Sequence, residues 1–174
     1  MKSIMKKLGI IFTAFTLAAG LIACQKAPDS QEGSIDAIKK KDKITIGVFG
    51  DKPPFGYVDE NGESVGYDVY LAHQIAKDLL GDEGKVEFVI LEAANRIEYL
   101  KSNKVDIVLA NFTVTDERKE EVDFAEPYMK VALGIVAPDG SPITSVDDLK
   151  GKKLIVNKGT TAELFFTENY PDIE

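Results

Sequence analysis

Cysteine occurs once in this sequence, at Cys24, and histidine once, at His73. A single cysteine excludes an intrachain disulfide, and it leaves the part of the chain beyond it without a cysteine nucleophile or cysteine-built metal site. One histidine excludes a histidine-spaced metal cluster. His73 lies between Val69 and Ala76 at helical spacing and reads as a boundary-face residue, not a general base. There is no Gly-x-Ser-x-Gly elbow and no glycine-rich phosphate loop. Positive charge is scarce too, with 21 basic against 29 acidic residues and a formal net charge of −8. Such a chain offers no basic stripe, which excludes nucleic acid as a partner. Arginine appears only twice, as Arg96 and Arg118. A chain that otherwise uses lysine has two places where a planar guanidinium fork is present.

The amino terminus has a distinct composition. Lys2, Lys6 and Lys7 are followed by an apolar run from Leu8 to Ile22, interrupted only by threonine and glycine. That is a charged start and an apolar stretch too short for a membrane span, the pattern of an export signal. Leu21-Ile-Ala-Cys24 resembles a bacterial lipobox. Residues 1–23 are therefore read as a lipoprotein signal peptide and Cys24 as the lipidated first residue of the mature protein. The alternative is an ordinary signal peptide with an incidental cysteine. More than one acyl chain holds a protein stably at a membrane, whereas one does so only marginally. Removing residues 1–23 takes away three lysines and leaves 18 basic against 29 acidic residues, a net charge of −11. Gln25 to Ser34 is polar, rich in Pro, Gly and Ser, and aperiodic. With the short Lys-rich helix expected over 35–41, it makes residues 24–42 a flexible tether. The expected location is extracytoplasmic, lipid-anchored at the cell surface or in the periplasm.

From Lys43 the pattern is α/β. Ile44–Phe49, Val86–Leu91 and Val105–Ala110 have the composition and length of strands. A helix is predicted over about 68–80, N-capped by Asp68 and stopped by Gly81, with Val69, Ala72, Ile75, Ala76 and Leu79 on one face. A shorter one is predicted over 95–102, with Ile97 and Leu100 facing in. The order β-α-β-α-β implies parallel strands, and ligands in such sheets sit at the carboxyl ends of the strands.

Three segments meet there. Gly50 to Tyr57 contains Pro53 and Pro54, which set the backbone and can present Phe55 or Tyr57 to a ligand. Glu92 to Arg96 follows the second strand. After the third strand, Asn111, Thr113 and Thr115 form a polar turn, Thr115 N-caps a short helix, and Arg118 follows. A helix N-terminus, two hydroxyls, an amide and a guanidinium make an anion site, since free N–H groups favour negative charge and the fork can grip a carboxylate with two parallel bonds. The alternative for each arginine is a surface ion pair, for Arg96 with Glu92 or Glu98. Beyond Tyr128, a hinge strand is expected over 131–137, a turn over 138–142, a Ser145-capped helix over 146–149 and a strand over 153–157. Thr160 and Thr161 then open a helix and repeat the anion-site pattern.

Together Pro53-Pro-Phe55, Gly66-Tyr-Asp-Val69, Thr113-x-Thr115-x-x-Arg118, Asp123-Phe124, Pro127-Tyr128 and Lys158-Gly-Thr-Thr161 resemble the extracellular solute-binding proteins of polar amino-acid ABC importers. The resemblance implies a two-lobed periplasmic-binding-protein-like α/β fold. The first lobe would span 43–130, and the hinge and an incomplete second lobe 131–174. It implies that Arg118 and Thr113 bind the α-carboxylate and that the backbone carbonyl of Asn111 receives the α-amino group. Phe55, Thr160 and Thr161 complete the site, and Arg96 stands near the ligand side chain. Acidic amino acids and cysteine are the two candidate ligands, since Asn95-Arg-Ile97 is similar to aspartate- and glutamate-binding members and Glu92-Ala-Ala-Asn-Arg96 to cysteine-binding lipoproteins. The implied partners are the amino acid, an ABC permease with its ATPase, and the membrane through the lipid anchor. No metal or cofactor is implied. The family's second lobe continues past the point reached by residue 174 and supplies an acidic residue for the α-amino group, so a chain folded as written is expected to bind weakly or not at all. Two other readings stand beside this one. Some dehydratase enzymes share the fold, and a surface adhesin or sensor lipoprotein could use it without transport.

Overall fold

A computed structural model describes residues 35–174. The signal peptide, Cys24 and the stretch to Ser34 lie outside the described residues. Helix α1 (Ile35–Lys41) opens the described part. Its Ile38 is buried in the main core, so this portion of the expected tether is packed onto the domain and is not free chain.

Strand β1 (Ile44–Val48) is the centre of the molecule. Its Ile44, Ile46 and Val48 are fully buried, each contributing on the order of 1.5–3 kcal/mol of apolar burial. It pairs in parallel with β5 (Val86–Ile90) on one side and β6 (Ile107–Leu109) on the other. The sheet order is thus β5-β1-β6. The β-α-β-α-β order read from the sequence is present. Between β1 and the first helix, however, the chain builds a second, antiparallel sheet from β2 (Asp51–Lys52), β3 (Gly56–Val58) and β4 (Ser64–Val65). Strands of two or three residues carry too little periodicity to be read from sequence.

Helix α2 (Tyr67–Leu80) buries Val69, Ala72 and Ala76 against β1. Gly81 ends it in the left-handed conformation, its N–H donating to Lys77 O at 2.8 Å. The N-cap is Gly66, not Asp68. At Gly66 φ is +117°, and a Cβ would lie 2.2 Å from Phe55 O, so only glycine fits. The first N–H groups of α2 find partners in the proline turn, Tyr67 N–H donating to Pro54 O and Asp68 N–H to Phe55 O. The Pro53–Pro54 bond is cis.

On the other face, a 3₁₀ turn (Ala93–Asn95) runs into α3 (Arg96–Lys101). Ile97 and Leu100 are only half-buried. The residue of α3 that is buried is Arg96, and Tyr99 packs on the smaller core of Phe49, Leu91 and Ala110. Helix α4 (Asp116–Lys119) follows β6 and is capped by Thr115, whose Oγ1 accepts from Arg118 N–H.

Beyond Tyr128, neither expected strand forms. Residues 131–137 and 153–157 are outside any sheet, with Val136 98 % and Ile155 94 % exposed. Both segments have strand composition, but a strand exists only with a neighbour to share its backbone bonds. The 153–157 stretch has one short pairing, Leu154 N–H donating to Glu174 O at 2.8 Å. Two local signals in this segment do form structure. Ser145 and Asp148 form a capping box on a 3₁₀ turn (Val146–Leu149), and Thr160 N-caps α5 (Thr161–Asn169). Among the described residues no helix is long and apolar enough to cross a membrane.

Candidate functional site

A cavity of about 460 Å³ opens at the carboxyl ends of β1, β5 and β6. Phe55, Arg96, Asn111, Thr113, Arg118, Thr160 and Thr161 all line it. The seven positions singled out in the sequence, spread over more than a hundred residues, meet around one cavity. Asp51, Lys52, Phe49 and Asn157 line it as well. Its charged groups are therefore three cations and one carboxylate, on a chain whose net charge is −8. The cavity inverts the sign of the surface around it and draws anions in.

The two arginines set this character. Arg96 is 3 % and Arg118 5 % exposed. Among the described residues neither forms an ion pair, so the alternative of a surface pairing of Arg96 with Glu92 or Glu98 is absent. Backbone carbonyls take that place. Arg96 Nε donates to Ala93 O at 2.9 Å, and its Nη1 donates to Ala110 O at 3.0 Å and Asn111 O at 3.2 Å. Arg118 Nη1 donates to Thr113 O at 2.7 Å. Both Nη2 groups donate to one oxygen, Gly159 O, at 2.8 Å from Arg96 and 2.9 Å from Arg118.

Two buried cations converging on a neutral oxygen are under-compensated. Burial, followed by the like charge of Arg118, pulls Arg96 down to about 10. Burial also lowers Arg118, with Glu117 acting against it. An arriving anion relieves both, because opposite charge is most effective where water is excluded. The ring of Phe112 lies against the two guanidiniums, its centroid 4.5 Å from Arg96 and 4.7 Å from Arg118, and its π-face attracts both cations.

Asn111 adopts φ +45°, the left-handed region that asparagine tolerates better than most residues. Its backbone carbonyl, implied as the receiver of an α-amino group, already accepts from Thr113 N–H at 3.1 Å and from Arg96. Two donors use both lone pairs, so the carbonyl is engaged within the chain. Its side-chain Oδ1 is buried without a partner among the described residues.

The far wall comes from the start of α5. Thr160 Oγ1 donates to Asn157 O and accepts from Glu163 N–H, while Gly159 N–H donates to Glu163 Oε2 at 2.6 Å. His73 is not in the wall. It sits on α2 with Nδ1 2.7 Å from Glu83 O and its ring edge-on to Phe88. Among the described residues no three His, Cys, Asp or Glu side chains are grouped to hold a metal ion.

Phe112 and Gly159, like the lining residues Phe49, Asp51, Lys52 and Asn157, are not singled out by the sequence. Phe112 stands between two singled-out positions, but an apolar residue at a strand end reads as core. Gly159 precedes the two threonines, and nothing local tells which carbonyl a distant arginine will reach.

The chain is similar in sequence and fold to several known proteins. A crystal structure of a cysteine-binding protein from Campylobacter jejuni superimposes with a TM-score of 0.80 at 65 % identity, covering 81 % of this chain and 57 % of that one. The solute receptor for L-cysteine of Neisseria gonorrhoeae gives 0.78 at 62 % identity, covering 80 % and 57 %. The glutamine-binding protein of an ABC transporter from Bacillus subtilis is 38 % identical over 150 residues, 85 % of this chain and 55 % of that protein. The chain thus spans somewhat more than half the length of the relatives it matches. Residues 44–169 match the family described as bacterial extracellular solute-binding proteins, family 3. With the periplasmic-binding-protein-like α/β fold and the cavity at its strand ends, the chain belongs to that family.

Proposed function

We propose that this protein is an extracytoplasmic receptor, lipid-anchored through Cys24, that binds a free L-amino acid, L-cysteine first, and delivers it to an ABC permease and its ATPase. The observation that carries this reading is Arg118, a buried guanidinium with no carboxylate partner among the described residues, lining a cavity of about 460 Å³. Cavities of this order hold small ligands. Arg118 makes two bonds to the chain, one from each Nη. A guanidinium has five N–H groups, so three remain for a ligand. In this reading the α-carboxylate lies against Arg118 and Thr113. Thr160 and Thr161, at the N-terminus of α5, approach it from the opposite wall, and Phe55 offers an apolar face to the side chain.

Cysteine is favoured over aspartate and glutamate by two observations. Identity is 65 % and 62 % with two structures described as cysteine-binding. Arg96, the cation that an acidic side chain would need, is already bonded to four carbonyl oxygens. Delivery to a permease follows from the family, and the anchor from the lipobox-like Leu21-Ile-Ala-Cys24.

The test is a thermal-shift panel of the twenty amino acids, with cystine and a reductant control, on protein expressed from its natural reading frame. A ligand at 100 times its dissociation constant stabilises by about 2.7 kcal/mol, several degrees for a domain of this size. The reading predicts the largest shift with L-cysteine. A protein that melts cooperatively and responds to no amino acid contradicts it.

A further inference from the structure

Arg96 and Arg118 line the same cavity, yet their donors are used differently. Arg96 has four bonds to carbonyl oxygens, to Ala93, Ala110, Asn111 and Gly159. One of its five N–H groups is left. Three of those four acceptors lie within about fifteen positions of Arg96 and hold the guanidinium in the floor of the site. The fourth, Gly159 O, lies 63 positions away, on the segment that leads into α5.

Gly159 is fitted to this contact on every side. Its φ is +76°, and a Cβ there would lie 2.7 Å from Ala94 Cα and 2.9 Å from Ala94 N, so the backbone sits directly on the 3₁₀ turn that begins α3. Its N–H is held by Glu163 Oε2 at 2.6 Å. Its carbonyl receives both arginines. A neutral oxygen gripped by two buried cations is a charge-assisted contact, roughly twice as strong as a neutral one.

We propose that Arg96 is a positioning residue: through the Gly159 carbonyl it latches the 157–161 segment over the cavity, and it does not contact the ligand's side chain. The proposal rests on the amino-acid-receptor reading for what the cavity holds. The latch itself does not depend on a ligand being bound. Arg118, with three N–H groups unengaged, does the gripping, and Arg96 presents the α5 N-terminus to the gripped carboxylate. A residue acting this way changes affinity for every ligand by a similar factor and leaves their ranking alone, because its contact is with the chain.

Two measurements on the protein from its natural reading frame test this. The first is hydrogen–deuterium exchange over 157–164 without ligand, for wild type, Arg96→Met, Gly159→Ala and the double variant. Gly159→Ala attacks the same contact from the other side, because its Cβ would crowd the Ala93–Ala94 backbone and push the 157–161 segment off the 3₁₀ turn, while the Arg96 bonds to Ala110 and Asn111 are not in its way. Each single variant is expected to speed exchange there by about tenfold or more, the loss of one charged-group hydrogen bond. The double variant should add little to Arg96→Met, since the contact that Gly159→Ala breaks is already among the four that Arg96→Met removes. The second measurement is the amino-acid panel on Arg96→Lys, which keeps the charge and loses the fork. The expected result is weaker response to all ligands with their order unchanged.

Wild-type exchange in Gly159→Ala overturns the latch even if Arg96→Met fails to fold. Selective loss of the acidic amino acids in Arg96→Lys, with the rest of the panel unchanged, places Arg96 on the ligand side chain and also overturns it. Silence of the wild-type protein across the panel contradicts the receptor reading alone, because the exchange experiment still decides the latch.

Discussion

Tyr128 Oη donates to Asp68 Oδ1 at 2.9 Å across sixty positions of sequence, tying the segment after α4 to the first turn of α2. Asp68 is fully buried, and its other oxygen, Oδ2, has no partner among the described residues. Removing the phenol hydroxyl therefore leaves a carboxyl group with neither oxygen bonded. Tyr128→Phe should destabilise by about 1–3 kcal/mol, the cost of a buried polar group without a partner. The denaturant midpoint should fall with the slope unchanged.

The same carboxyl predicts a pH dependence. Burial raises the Asp68 pKa above 3.8, with the Tyr128 bond opposing it. The unfolded chain then releases this proton at lower pH than the folded one. The folded state binds more protons in that window, so this group's contribution to stability falls as pH rises from about 3.8 towards the raised folded value. Asp68→Asn keeps an oxygen for Tyr128 and does not ionise. Its melting temperature relative to wild type should improve as pH rises through that window, and a constant or opposite difference would contradict the assignment.

Arg118 is the position where a substitution should separate binding from folding. Arg118→Lys keeps a positive charge and removes the planar fork. Losing one charge-assisted bond of about 1.5–3 kcal/mol weakens a carboxylate ligand by about ten- to hundredfold. Titration calorimetry reads the affinity, and circular dichroism checks the fold.

Asp148 offers a local test away from the cavity. Its Oδ2 accepts from the N–H groups and hydroxyls of Thr144 and Ser145. Those bonds favour the charged form and hold its pKa down to about 2. Carboxyl NMR titration should find its midpoint there, and Ser145→Ala should move it towards the ordinary 3.8.

Much of the α/β fold is legible because its signals are local or periodic. The Ile44, Ile46 and Val48 run, the helical spacing of Val69, Ala72 and Ala76, and the Thr115 and Thr160 caps each needed only a few residues to declare themselves. The convergence of Arg96 and Arg118 also follows from strand order, since parallel strands bring their carboxyl ends to one edge. Legibility ended where geometry is made by distant partners. Asp68 reads as a helix cap, but Gly66 takes that place because the Phe55 carbonyl leaves no room for a side chain there. Val131–Ala137 and Lys153–Asn157 read as strands by composition, yet composition does not supply the neighbour that a strand requires. The four carbonyl partners of Arg96 lie up to 63 positions away, and nothing local in the sequence points to them.

The proposed function requires the buried arginine site to receive the carboxylate of a small amino acid. Titration calorimetry of L-cysteine against cysteamine, which keeps the amine and thiol and lacks the carboxylate, tests it most directly. Both are run under reductant on protein from its natural reading frame. Saturable binding of L-cysteine with cysteamine at least about a hundredfold weaker, the loss of two charge-assisted bonds, is the predicted result. Equal affinity for the two, or binding of neither, would contradict it.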